Sequence, residues 1–181
     1  MITRIGLGDF PNRLKTKFTA KEFAMFDSVT ISMIPGDAAA VAGYVNGHWP
    51  TFAELAKSHP HAKRLSVAIS ADADAECLDV ERGDATPDQV PAWISRQLRR
   101  GVTRPVVYCA VSTVKQLLDD LGAAGIKRSS IRLWTAHYTG NAHRCTQSCG
   151  FGMPTTADAT QWTSGALERN LDQSLCAPDF L

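Results

Sequence analysis

Apolar positions along the chain fall into short runs rather than long stripes. Runs rich in Val, Ile, Leu, Phe and Tyr, bounded by Gly, Pro, Asn, Asp or Ser, predict eight strands, near residues 24–32, 39–46, 64–70, 75–81, 104–110, 131–138, 157–163 and 171–176. Between some of them the spacing changes to three and four. The clearest helix runs from Thr86 to Arg100, with Val90, Trp93, Ile94 and Leu98 forming one stripe to bury. Thr86 suits its N-cap, Pro87 the first helical position and Gln89 the capping-box partner, while Gly101 supplies a left-handed stop. Pro91 is the discord, because it removes an early hydrogen bond. A second helix is expected after Thr113, with Gln116 as capping partner, Val114, Leu117, Leu118 and Leu121 inward, and an end around Gly122 to Gly125. A shorter one follows Thr51, with Glu54 as partner and Phe52, Leu55 and Ala56 inward.

Strands separated by helices imply parallel pairing, since a parallel neighbour needs a crossover, and eight of them suggest closure. The expected fold is therefore α/β, a trimmed (β/α) TIM-type barrel with eight strands and fewer than eight helices. With 181 residues the chain is short for eight full units. Residues 33–38 and 139–156 show no long helical period, so some crossovers there should be loops or single turns. Residues 1–20 lack periodicity and are set apart as an N-terminal arm, lying over the barrel or frayed; 21–181 read as one barrel domain.

Composition narrows the function classes. Nineteen Lys and Arg against eighteen Asp and Glu leave a formal charge of +1, so no global field draws the chain to nucleic acid or an anionic membrane. No apolar run reaches the ~18 residues of a membrane span, and Met1 to Phe10 lacks a signal peptide's apolar segment. The expectation is a protein made in the cytoplasm without a signal peptide. Five cysteines, an odd number, leave at least one thiol free or paired externally.

The chemistry concentrates at Glu76-Cys-Leu-Asp-Val-Glu81-Arg-Gly-Asp-Ala-Thr-Pro87, an apolar strand that ends in carboxylates and turns at once into a capped helix. Such a strand end is the catalytic rim of these barrels. Asp79 and Glu81 share a face, with alpha carbons about 6.5–7 Å apart at ~3.3 Å per residue. Like charges that close raise at least one pKa, leaving a proton for general acid work beside an ionised neighbour, the division of labour in glycoside hydrolysis. The same residues can instead cap the next helix or pair with Arg82. Other strand ends carry Asp27, Tyr108, Trp134, Tyr138, Gln161, Trp162 and Asp172, which a barrel would bring together. Aromatic faces beside carboxylates suit a sugar.

Phe26-Asp27-Ser28, Leu78-Asp79-Val80-Glu81, Val107-Tyr108, Leu133-Trp134-Thr135-Ala136-His137-Tyr138, Thr160-Gln161-Trp162-Thr163 and Leu171-Asp172 resemble, in order, the strand motifs of glycoside hydrolase family 25, the lysozyme-like muramidases of phages and bacteria. The resemblance covers roughly residues 24–176. It implies an incomplete barrel acting on peptidoglycan glycan strands. Glu81 would be the general acid and base at the bond between N-acetylmuramic acid and N-acetylglucosamine, and Asp79 would support the acetamido group or the developing positive charge. Asp27 and Asp172 would line the cleft, with Tyr108, Trp134 and Tyr138 shaping the sugar site. Stereochemical outcome stays open, because the carboxylate spacing lies between the retaining and inverting ranges. The second strand, Val41 to Trp49, lacks the Lys-Ala-Thr-like segment usual there and is closer to a neighbouring glycoside-hydrolase-like barrel family, which leaves substrate choice open. A phage endolysin or virion-associated lysin acting on the bacterial cell wall fits the missing signal peptide. The other reading is an inactive sugar-binding or structural barrel of a virion.

Weaker signals point elsewhere. His143, Cys145 and Cys149 could ligate zinc, but the spacing lacks a fourth ligand, so a local disulfide or free thiols and no metal or cofactor are expected. Gly6-Leu-Gly8 lacks the rest of a dinucleotide fingerprint. Arg96, Arg99, Arg100 and Arg104 form a basic cluster explained by dipole complementation at a helix end. His48, His59 and His61 have no ligand spacing, and Asp84 reads as a turn residue.

Overall fold

The computed structural model describes residues 22–181, so the arm expected at 1–20 lies outside the described residues. Eight strands close into a barrel in chain order: β1 (Phe23–Asp27), β2 (Ala40–Tyr44), β3 (Lys63–Ala68), β4 (Cys77–Val80), β5 (Val106–Ala110), β6 (Arg132–Ala136), β7 (Ala159–Thr163) and β8 (Asp172–Cys176). These strands coincide closely with the expected runs. Three α-helices cover the outside: α1 (Phe52–Ser58) after β2, α2 (Val90–Arg99) after β4 and α3 (Val114–Ala123) after β5. Elsewhere the connections are loops or single 3-10 turns, as at Ile31–Met33 and Gln147–Cys149.

β1 to β7 run parallel, but β8 is antiparallel to both β7 and β1. The expected all-parallel pairing is corrected there. The β7–β8 connection holds only a 3-10 turn, Ala166–Glu168, and is too short for a crossover, so the chain turns back as a hairpin. Leu167 and Glu168 take left-handed φ values of 54° and 59° to make that reversal.

The barrel interior is graded along its axis. One end is apolar, built from Met25, Leu65, Cys77, Val106 and Phe180. Small residues, Ala40, Ala42, Ala136 and Ala159, leave room for the bulk of Tyr108 and Trp134, whose rings pack with centroids 4.5 Å apart. Period two then carries the same faces to Asp27 and Asp79 at the strands' C-terminal ends. Outside, α2 and α3 bury Trp93, Ile94, Leu117 and Leu121 against Leu78, Val107 and Leu133. Burying each such side chain is worth about 1.5–3 kcal/mol.

The capping box before α2 forms, with the Thr86 N–H donating to Gln89 Oε1 at 3.0 Å, and Gly101 takes a φ of 93°. Pro91 sits in the first turn of α2, where no intrahelical donor is needed. Other details differ from expectation. Leu98 is 39% exposed, and Gln97 is buried in its stead, donating through Nε2 to Asp74 at 3.1 Å. Ala56 faces solvent. Thr113 does not cap α3, because the chain enters through a 3-10 turn and the residue is already helical. Thr51 is helical too; its hydroxyl accepts the Tyr44 N–H at 3.1 Å, stitching α1 to β2. Gly43 permits that approach, since a Cβ there would lie 2.4 Å from Leu55 Cδ1.

Candidate active site

At the carboxyl end of the parallel strands an enclosed cavity of about 110 Å³ is lined by Asp27, Ala42, Gly43, Tyr44, Val67, Asp79, Glu81, Tyr108, Trp134, Tyr138, Gln161 and Asp172. The four acidic residues expected to converge do so. Asp27 ends β1, and Asp172, at the start of the reversed β8, is its direct cross-strand partner. Asp79 is in register with Tyr108, and Tyr108 with Trp134, so β4, β5 and β6 contribute one layer. Glu81 lies one residue beyond β4, exposed at the lip.

Burial and mutual repulsion set the electrostatics. Asp27 is 5% exposed, and burial, then the charges of Asp172 and Asp79, push its carboxyl well above the usual range. Asp79 is 3% exposed and is pushed up to about 8 by burial, with Glu81 and Asp84 adding repulsion. Glu81 is raised by burial and Asp84, with the neighbouring Tyr108 hydroxyl opposing the shift. Asp172 is raised by burial, but hydrogen bonds from Gln161 and Asp27 oppose the shift. Among the described residues no cation pairs with any of these four, so the pairing of Asp79 or Glu81 with Arg82 does not occur. Nor do they cap α2, a role held by Thr86 and Gln89.

Aromatic and amide groups frame the acids. The Tyr108 hydroxyl donates to Gln161 Oε1 at 2.6 Å, and Trp134 Nε1 donates to Ser174 Oγ at 2.9 Å. Tyr138, 58% exposed, stands at the rim and lines the cavity with Tyr108. One expected site residue is not brought in: Trp162 is buried but does not line the cavity. It follows the inward-facing Gln161, at a bulge where β7 slips against β8. Two contributors went unnoticed in the sequence. Tyr44 ends β2 on the face of Ala42, a position that period two identifies. Asp84, expected only to make a turn, raises both Asp79 and Glu81 through its charge.

Asp27 Oδ1 and Asp79 Oδ1 are buried and find no hydrogen-bond partner among the described residues. Unpaired buried polar atoms cost about 1–3 kcal/mol each, so the cavity is suited to a small group with both a donor and an acceptor. Its volume is well under the roughly 300–1,000 Å³ of a drug-sized site, so it takes a substituent, with the rest of a ligand lying across the mouth.

Three of the four arginines in the basic cluster form ion pairs, Arg96 and Arg100 with Asp74 at 2.9 and 3.3 Å and Arg104 with Asp158 at 3.3 Å, while Arg99 stands in the last turn of α2. The expected lack of a fourth ligand beside His143, Cys145 and Cys149 is corrected: His137 Nδ1 lies 3.0 Å from His143 Nε2. All five cysteines are free thiols. Among the described residues, no helix is long and apolar enough to cross a membrane.

No protein-family model and no curated protein matches the chain by sequence. Two solved structures share the fold. An uncharacterized protein from B. stearothermophilus superposes with a TM-score of 0.60 at 12% identity, over 88% of this chain and 98% of that one. The bacterial lysozyme from Streptomyces coelicolor superposes with a TM-score of 0.55 at 13% identity, over 84% and 90%. The chain thus has a lysozyme-like barrel fold.

Proposed function

We propose that the chain is a glycoside hydrolase of the family 25 type, an N-acetylmuramidase that cleaves the β-1,4 bond between N-acetylmuramic acid and N-acetylglucosamine in peptidoglycan. The observation that carries this is an acidic cavity without cations, in which two buried carboxyl oxygens lack partners while a third acid, Glu81, stands at the lip. An N-acetyl substituent offers one N–H and one C=O, the pair such a cavity can satisfy. With that arm held by Asp79 and Asp27, the glycan lies across the mouth and its glycosidic oxygen comes within reach of Glu81.

Glu81 protonates that oxygen; burial and the charge of Asp84 raise its pKa, so it holds the proton to higher pH than an ordinary glutamate. Asp79, at about 8, stays protonated below that pH and acts as a donor to the acetamido carbonyl. Asp172, whose upward shift Gln161 and Asp27 oppose, is placed to face developing positive charge. Tyr138 offers an exposed ring to a sugar face.

A second reading is favoured by one observation: every mouth carboxyl is shifted toward its neutral form. A barrel with little negative charge at the mouth could bind glycan without turning it over. Clearing of a wall suspension and release of reducing ends, measured with glycan pull-down, separate the two. The hydrolase reading expects clearing by the wild type and glycan binding without clearing by Glu81→Gln. Wild-type binding without clearing favours the binding barrel, and equal clearing by the variant removes Glu81 from its role.

A further inference from the structure

Just past the end of β6, on the outer face of the barrel, two imidazoles and two thiols converge. The ligating atoms of His137, His143, Cys145 and Cys149 all lie within 4.8 Å of one another, drawn from thirteen consecutive residues. Alternation explains the placement of His137: Ala136 and Tyr138 turn toward the barrel interior and its mouth, so the residue between them turns out. The other three arrive on the β6–β7 loop. Cys145 is fully buried, and its N–H donates to Thr160 Oγ1 of β7 at 2.8 Å.

The three distances among His137, His143 and Cys145 are close to the edges of a tetrahedron, and Cys149 lies within 4.8 Å of each. Zinc–nitrogen and zinc–sulfur bonds of about 2.0–2.1 and 2.3 Å put two nitrogens about 3.4 Å apart and a nitrogen and sulfur about 3.6 Å apart. His137 Nδ1 and His143 Nε2 are separated by 3.0 Å, and Cys145 Sγ lies 3.4 and 3.6 Å from them. A backbone carbonyl orients His143 as a ligand. Its Nδ1 is 2.9 Å from the Asn141 carbonyl oxygen, which only accepts, so Nδ1 carries the proton and Nε2 turns its lone pair inward. Phe151 closes the site, its ring edge-on to His137 at 5.7 Å from a left-handed backbone with φ 56°.

We infer that these four residues form a closed structural zinc site that pins the β6–β7 loop to the barrel beside Tyr138. A set of two thiolates and two imidazoles selects zinc over the hard cations, and four protein ligands leave no position for substrate. The site is independent of whether the mouth hydrolyses glycan.

The test uses the untagged full chain, purified under reducing conditions and assayed by elemental analysis. About one zinc per chain is expected, as in a closed four-ligand site. Cobalt exchange should give the visible bands of a tetrahedral ion and a thiolate charge-transfer band that weakens in Cys149→Ser. His143→Ala should lower zinc affinity by more than the roughly 10–100-fold that loss of an outer partner costs. Should the variants fold poorly, the wild type alone decides: chelation should lower its Tm and expose the 137–158 loop to protease, and zinc should restore both. A reduced chain that takes up no zinc, one that holds iron or copper instead, or a Cys145–Cys149 disulfide in fresh protein would each overturn the assignment.

Discussion

The floor and the rim of the cavity carry the same chemical groups in opposite circumstances. Asp27 and Asp79 are almost wholly enclosed, whereas Glu81 and Tyr138 meet solvent. On the floor, desolvation is the first cause of each shift: Asp79, pushed up to about 8, is a neutral hydrogen-bonding group near pH 7, and Asp27 is shifted in the same direction. At the rim, Glu81 is open to solvent, and burial and the charge of Asp84 raise its carboxyl. Position along the barrel axis, more than residue type, therefore sets how each acid titrates, and on the proposed function it separates holding from reacting.

Substitutions at the two levels should break that contrast in different ways. The largest effect belongs to Glu81→Gln, which should cut turnover by about 10²–10⁴-fold while leaving stability within ~0.5 kcal/mol; activity that survives would place the acid elsewhere. In the wild type, rate should fall as pH rises through the elevated Glu81 pKa.

Asp79→Asn should act mainly on stability. The folded carboxyl, near 8, keeps a proton that the unfolded chain releases near 3.8. Its contribution is thus complete below about pH 4 and is lost as pH rises toward 8. The variant, neutral throughout, should flatten that decline and gain most at pH 8, with each kcal/mol worth about 2–4 °C in Tm. A wild-type Tm that climbs between pH 5 and 8 while that of the variant does not would contradict the neutral floor. Smaller still is Tyr138→Ala, expected to weaken glycan binding by about 0.5–1.5 kcal/mol with an unchanged pH profile, as titration calorimetry would read. Arg82→Ala, next to the acids but unpaired with them, should leave turnover and Tm unchanged within ~0.5 kcal/mol.

Much of this was legible from pattern. Eight apolar runs located eight strands, because each is bounded by turn residues and buries at least one face. The Asp79–Val80–Glu81 strand end was legible for the same reason: period two puts both acids on one face wherever the strand ends. The direction of β8 was not, since alternation is the same read either way and only the length of the preceding connection distinguishes them. Trp162 shows the rule applied loosely; with Gln161 inward, its neighbour belongs on the other face. His137 was hidden by its motif, where the aromatic residues drew attention to the opposite side of the strand. Asp84 acts through space from a turn, and no periodicity encodes that.

The reversal of β8 has a bearing on how this barrel could be re-tailored. A hairpin in the last place makes residues 164–171 a border of the opening, and it delivers Asp172 from a strand's beginning instead of its end. Lengthening or exchanging that segment would redraw the outline of the opening while every β-ladder stayed intact, which makes it the natural graft point for altering what the opening admits.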